Sequence, residues 1–208
     1  MIINHSKKFV FIHVPKTGGT SVQTALLSVP DSRIPGQTKH WTANDLLRSR
    51  RWWHRPLDGY VFFAFVRNPW DRFLSLHRYL RTKPKYQSRV PAQFASFVAL
   101  LANREPWLMG LHSIHSQSDF VVGTECKIGR YESLGEDFAA ISASFGLKLD
   151  LPRLNVSATS KVDYRQFYSD VDAEVIGSEY EADLKRFGYA FDPGAAASTQ
   201  RASVCAAL

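Results

Sequence analysis

Apolar positions along the chain fall into short unbroken runs separated by helical stripes. Residues 9–14 (Phe-Val-Phe-Ile-His-Val) form one run, rich in aromatic and β-branched side chains, and residues 60–66 form a second, almost wholly apolar. Runs of that length without polar alternation suit strands buried on both faces, as in a parallel sheet. A helix is expected from about Thr20, with Val22, Ala25 and Leu26 on one face. Residues 28–40 carry the breakers Pro30, Pro35 and Gly36, and 42–47 open a short helix. After the second run, Asn68 is a suitable N-cap, Pro69 fits the first helical position and Asp71 complements the helix dipole. That helix is expected to reach about Leu80 and to bury Phe73, Leu76 and Leu80. Further helices are expected over 94–102, 137–145 and 171–187, and short strands over 119–122 and 127–131. Strands alternating with helices predict an α/β fold with a central, mainly parallel sheet flanked by helices. No repeat or linker divides it, so one domain is expected over 1–192, followed by a flexible Ala/Ser-rich tail, 193–208.

Composition narrows the partners more than the fold. The chain has 208 residues, 45% hydrophobic and 22% charged, ordinary for a globular protein with a sizeable core. Its net charge of +7 favours anionic partners without choosing among nucleotides, nucleic acids, acidic glycans or membrane surfaces. Two cysteines, Cys126 and Cys205, make neither a disulfide framework nor a metal-ligand set, and fit a reducing compartment. No stretch approaches membrane-spanning length, so no stable membrane insertion is expected. The last residues, Cys205-Ala206-Ala207-Leu208, formally fit a prenylation box but lack the second anchoring signal that one lipid chain needs.

Two segments carry chemistry. Pro15-Lys16-Thr17-Gly18-Gly19-Thr20-Ser21 joins the first strand to the first helix. Two glycines allow close backbone approach and positive φ, free N–H groups at a helix start favour an anion, Lys16 adds a mobile charge, and Thr17, Thr20 and Ser21 add hydroxyl donors. The domain is therefore P-loop-like, but the lysine precedes the glycines and no glycine opens the loop, unlike the usual nucleotide loop. A tight Gly-Gly turn with a solvated lysine is the plain alternative. The second segment, Val66 to Ser75, begins where the second strand ends, at the sheet edge where α/β proteins bind ligands. Arg67 offers a planar donor fork and Ser75 a hydroxyl, a pair suited to one phosphate; a salt-bridged arginine and an exposed serine are the alternative.

Together these segments resemble the sulfotransferases that use 3′-phosphoadenosine-5′-phosphosulfate (PAPS), especially the short bacterial and Golgi carbohydrate sulfotransferases. The resemblance rests on Phe11-Ile12-His13-Val14-Pro15-Lys16-Thr17-Gly18-Gly19-Thr20-Ser21 and on Phe65-Val66-Arg67-Asn68-Pro69-Trp70-Asp71-Arg72. Gly129-Arg130-Tyr131-Glu132, Asn155-Val156-Ser157 and residues 180–189 are weaker echoes. It implies sulfuryl transfer from PAPS to a hydroxyl acceptor, a carbohydrate by family likeness, with PAP released and no metal required. It implies that Lys16, Thr17, Gly18, Gly19, Thr20 and Ser21 hold the 5′-phosphosulfate, that Arg67 and Ser75 hold the 3′-phosphate, and that Lys16 also acts in catalysis. The expected location is the cytoplasm, or the Golgi lumen if an N-terminal anchor is missing.

A base is needed for the acceptor hydroxyl, and histidine suits that task near neutral pH. Of seven histidines, His40 lies between the two segments, where related enzymes often place the base; a surface or capping role is equally open. His13, Asp45 and Glu132 are alternatives, and His112 and His115 contact acceptor or solvent. Arg48, Arg50, Arg51, Arg55, Trp52 and Trp53 line an acceptor cleft or form a solvated basic loop, and Lys83, Lys85 and Arg89 allow the same two readings. The rival functions are a P-loop kinase or nucleotide hydrolase, a noncatalytic polyanion-binding module, and a sulfotransferase fold that has lost its base. No nucleic-acid partner is expected of the enzyme.

Overall fold

The computed structural model describes residues 1–36, 40–49, 57–152 and 162–192. The expected Trp/Arg stretch over 50–55, the Asn155-Val156-Ser157 echo and the 193–208 tail lie outside the described residues. The strands are β1 (Ile2–Asn4), β2 (Phe9–Ile12), β3 (Ser32–Arg33), β4 (Val61–Val66) and β5 (Cys126–Arg130). The helices are α1 (Gly19–Leu27), α2 (Ala43–Arg48), α3 (Pro69–Arg81), α4 (Phe94–Ala102), α5 (Pro106–Met109), α6 (Gln117–Phe120), α7 (Leu134–Ala143), α8 (Asp170–Glu179) and α9 (Glu181–Phe187). They form two compact units, residues 1–67 with 111–162, and residues 68–110 with 163–208.

The first unit holds a five-stranded sheet in the order β3-β1-β2-β4-β5. β2, β4 and β5 run parallel, while β1 pairs antiparallel with both β2 and β3. The sheet is thus mixed rather than mainly parallel. The reason is local: only residues 5–8 separate β1 from β2, enough for a hairpin and too few for a crossover. One buried side chain organises that edge. Asn4 accepts from the Ser6 hydroxyl (3.0 Å) and the Lys7 amide (2.7 Å), and donates to the Pro30 carbonyl (2.9 Å) and the Ser32 hydroxyl (2.8 Å). On one sheet face Ile2, Phe9, Phe11, Phe63 and Phe65 pack with Val22, Ala25 and Leu26 of α1 and Phe138 of α7. The alternate residues Val10, Ile12, Phe62, Ala64 and Val66 are buried too, as continuous apolar runs require.

Two local expectations fail. Residues 119–122 are not a strand: α6 ends at Phe120 and a turn follows, so helical winding, not alternation, buries Phe120 and Val121. The expected 171–187 helix is two helices broken at Tyr180, whose backbone (φ −109°, ψ 26°) leaves the helical region. Tyr180 is fully buried with the Arg72 guanidinium 5.1 Å from its ring centre, and burial holds its hydroxyl far above the ordinary phenol range.

The second unit is helical. Asn68 caps α3 by accepting from the Trp70 amide (3.1 Å), as expected, and its amide nitrogen donates to the Tyr164 hydroxyl and the Ala190 carbonyl. Phe73 packs on Phe94 and Phe97 of α4, and the Trp70 indole donates to the Ala173 carbonyl of α8 (2.9 Å). Against the same two phenylalanines lies His77, 4% exposed, its Nε2 bonded to the Pro91 carbonyl at 2.8 Å. Burial, reinforced by Arg81 and Arg78, lowers the His77 pKa, against the raising effect of the Pro91 bond. The neutral ring is favoured on folding, so the unfolded chain binds the extra proton as pH falls. Stability from this group is complete above the model value of 6.5 and is lost as pH drops through the lowered native value. Thermal unfolding followed from pH 8 to pH 5 should therefore show a falling midpoint, and His77→Phe should flatten that slope. An unchanged slope would remove His77 as its source.

Candidate functional site

The site starts at the end of β2. The chain passes Pro15, turns at Lys16 and Gly18, and enters α1 at Gly19. Lys16 (φ 69°) and Gly18 (φ 79°) both stand in the left-handed region. For Lys16 that conformation costs about 1 kcal/mol or more, strain of the kind that collects at functional sites. Gly18 is glycine for two reasons. Its φ disfavours side chains, and an added Cβ would lie 2.6 Å from Leu134 and 3.3 Å from Tyr131. Gly19 has a steric reason alone, since its Cβ would lie 2.3 Å from the His13 ring.

The hydroxyls divide. Thr17 is buried and donates to the Val14 carbonyl (2.9 Å), so its side chain ties the loop to the strand end. Ser21 is buried and Thr20 exposed. No side chain caps α1, and its first turn holds no acidic residue. The free N–H groups at such a helix start attract an anion.

Arg67 follows β4, parallel to β2, and its guanidinium reaches the loop, donating to the Lys16 carbonyl at 3.2 Å and lying 3.9 Å from the Tyr131 ring centre. Its backbone is clamped in both directions by buried Gln117: the Arg67 amide donates to Gln117 Oε1 (2.9 Å), and Gln117 Nε2 donates to the Arg67 carbonyl (2.8 Å). Nothing in the sequence pattern singles out Gln117. Tyr131 carried a signal, standing in the Gly129-Arg130-Tyr131-Glu132 segment. Ser75 lies half-buried on α3 in the second unit.

Four histidines form a row beside the loop. His13 stacks on Phe11 (5.8 Å between ring centres), and His40 lies 5.4 Å from His13. His112 stacks 6.5 Å from His40, and His115 stacks 5.9 Å from His112. Exposure rises along the row, from buried His13 through half-buried His40 to exposed His112 and His115. The structure thus gathers Lys16, Gly18, Gly19, Arg67, His13 and His40 within one unit. Asp45 instead completes a capping box on α2, accepting from the Thr42 amide and hydroxyl at 2.8 and 2.9 Å. Among the described residues no group of three or more His, Cys, Asp or Glu is placed to hold a metal ion, and no helix is long and apolar enough to cross a membrane.

This is an α/β protein with a strained, glycine-bearing strand–loop–helix turn and an open helix N-terminus beside a histidine row. The profile of the sulfotransferase family matches residues 1–190, and the chain belongs to that family. A protein of Archaeoglobus fulgidus described as uncharacterized is 31% identical over 105 residues, covering 49% of this chain and 81% of its own length. No solved structure matches the chain.

The close approach of Gly19 and His13 is testable by unfolding. Gly19→Ala should destabilise by about 1–3 kcal/mol, the range for overpacking. The same change in a His13→Ala background should cost less than about 1 kcal/mol, because the obstructing ring is gone. Urea unfolding midpoints of the four proteins supply the comparison; equal costs in both backgrounds would show that the ring is not the obstacle.

Proposed function

We propose that this protein transfers a sulfuryl group from PAPS to a hydroxyl of a carbohydrate acceptor. The observation that carries the reading is the uncapped start of α1, facing a loop whose lysine is strained and whose two glycines admit no Cβ. Such a turn fits a phosphosulfate: backbone N–H groups of Gly18, Gly19, Thr20 and Ser21 contact the anion, and Lys16 adds charge. Thr17 contributes its amide, its hydroxyl being committed to Val14. Arg67 and Ser75 hold the 3′-phosphate that distinguishes PAPS from ATP. PAPS supplies an electrophilic sulfur; in transfer the acceptor oxygen bonds to sulfur, the bond to the bridging oxygen breaks, and PAP carries away the electron pair. Lys16 and the loop amides offset the charge growing on that oxygen.

His40 takes the acceptor proton on a ring nitrogen. Its support is position: it is half-buried, between His13, packed on Gly19, and the exposed His112, so it stands where an acceptor entering from solvent meets the loop. A general base contributes roughly 10²–10⁴-fold. The expected location remains the cytoplasm.

Two measurements test this. Thermal stability with PAP against ADP reads the donor site, since a ligand at about 100 times its Kd stabilises by about 2.7 kcal/mol. Wild type should prefer PAP, and Arg67→Ala should lose the preference; equal responses to PAP and ADP would sink the PAPS reading. PAP release from PAPS, followed across a panel of sugar acceptors, reads catalysis. His40→Ala should lose two orders of magnitude or more, by the same ~10²–10⁴-fold reckoning, with PAP binding nearly intact. Full turnover in that variant would pass the base role to another residue.

A further inference from the structure

The positive charge of this chain is confined to one stretch. The whole protein has 26 Lys and Arg against 19 Asp and Glu. Residues 72–104 contain seven of the basic residues and none of the acidic ones, so the remainder of the chain is balanced and the net +7 belongs to this segment alone. Arg72 is buried beneath Tyr180, and Arg104 is paired with Glu179 at 2.6 Å. The other five, Arg78, Arg81, Lys83, Lys85 and Arg89, lie at the end of α3 and in the chain that follows, and all but half-buried Arg78 are exposed.

Helix electrostatics accounts for part of this. Arg78 and Arg81 occupy the last turn of α3, where cations offset the negative end of the helix dipole. Lys83, Lys85 and Arg89 lie beyond the helix and gain nothing from it. Arg81, Lys83, Lys85 and Arg89 form no ion pair with a described carboxylate. Uncompensated like charges repel one another, so a cluster of this kind is stabilised by an anionic partner.

We infer that this face of the second unit, centred on Lys83, Lys85 and Arg89, docks an acidic polysaccharide chain. The polysaccharide class rests on the carbohydrate acceptor proposed above; the anionic character does not. The aromatic residues of the face argue against single-stranded nucleic acid, which needs open ring faces for bases to stack on. Here Lys83 Nζ lies 4.7 Å from the Tyr79 ring centre and Lys85 Nζ 5.4 Å from that of Tyr86, which also stacks with Trp107 at 6.1 Å. These rings hold the ammonium groups in place by cation–π attraction rather than presenting free faces. What remains outward is a set of fixed cations, suited to carboxylate or sulfate groups spaced along a flexible sugar chain.

Heparin is the probe, with the full-length protein, in salt titrations starting near 0.1 M, where surface charge still acts over about 10 Å. Wild type should bind with steep salt dependence. Lys83→Glu/Lys85→Glu/Arg89→Glu should weaken binding roughly tenfold or more and flatten the salt dependence. A control with the same change in net charge at exposed lysines of the first unit, Lys7→Glu/Lys127→Glu/Lys148→Glu, should change affinity less than about twofold. Equal losses in the two triple variants would overturn the proposal, since net charge alone would then explain the binding. So would absence of wild-type binding, or tighter binding of duplex DNA at matched charge. The PAP response of the same samples reports separately on the donor site: heparin binding without a PAP response would remove the sulfotransfer reading and leave a polyanion surface, while a PAP response without heparin binding would do the reverse.

Discussion

The ring of His13 occupies the space where a side chain on Gly19 would stand. His13 is itself held by stacking on Phe11, a central member of the core under the sheet. Helix α1 is thereby fitted against the end of β2 through a contact with no slack, because packed interiors tolerate little added volume. On the other side, Gly18 comes equally close to Leu134 and Tyr131. Tyr131 in turn carries the guanidinium of Arg67, which bonds back to the Lys16 carbonyl. The loop is gripped between two rings, one from the strand before it and one from the segment after β5, and the positions of Lys16, Arg67 and the histidine row all follow from that grip.

Such a loop is expensive to hold. Lys16 is kept in a left-handed conformation that an unconstrained lysine avoids. The Arg67 bond to its carbonyl, the Thr17 bond to Val14 and the two-way Gln117 clamp on Arg67 together over-determine the turn. Meanwhile α1 begins with no side-chain cap. The chain caps elsewhere: α2 and α8 each begin with a full capping box, and α3 with the Asn68 side chain. Strain at Lys16 with open amides at Gly19 is therefore a local departure in a chain that otherwise satisfies its helix starts. A bound anion resolves both features at once, filling the open amides and the field of the lysine.

What could be read from sequence follows from how local the determinants are. β2, β4, α3 and α4 were legible because a continuous apolar run, a capping asparagine with proline behind it, or a helical stripe is complete within a dozen residues. The glycine loop was legible for the same reason. β1 and β3 were not: they have three and two residues, and the Asn4 network that holds them joins positions 4, 30 and 32. The break at Tyr180 depends on its packing with Arg72, more than a hundred positions earlier, and Gln117 gains its role only by meeting Arg67 across fifty residues. His40 was selected by position alone; the row linking it to His13 and His112 is a tertiary fact with no periodic signature.

Charge makes a similar distinction. Taken over the chain, an excess of +7 is an ordinary basic surface. Sorted by environment, many cations are already engaged. Arg67 serves the loop, Arg72 is buried, Arg104 pairs with Glu179, Arg165 bridges Asp163 and Asp192, and Lys185 pairs with Glu181 one helical turn away. Exposed pairs of this kind add little stability, but they do cancel local field. The field that is not cancelled belongs to residues 78–89, after α3, where neither helix dipole nor carboxylate accounts for Lys83, Lys85 and Arg89. A donor loop needs only a local charge, which Lys16 and Arg67 supply. A long anionic acceptor, by contrast, is held by charges spread along a surface, and the second unit carries such a surface.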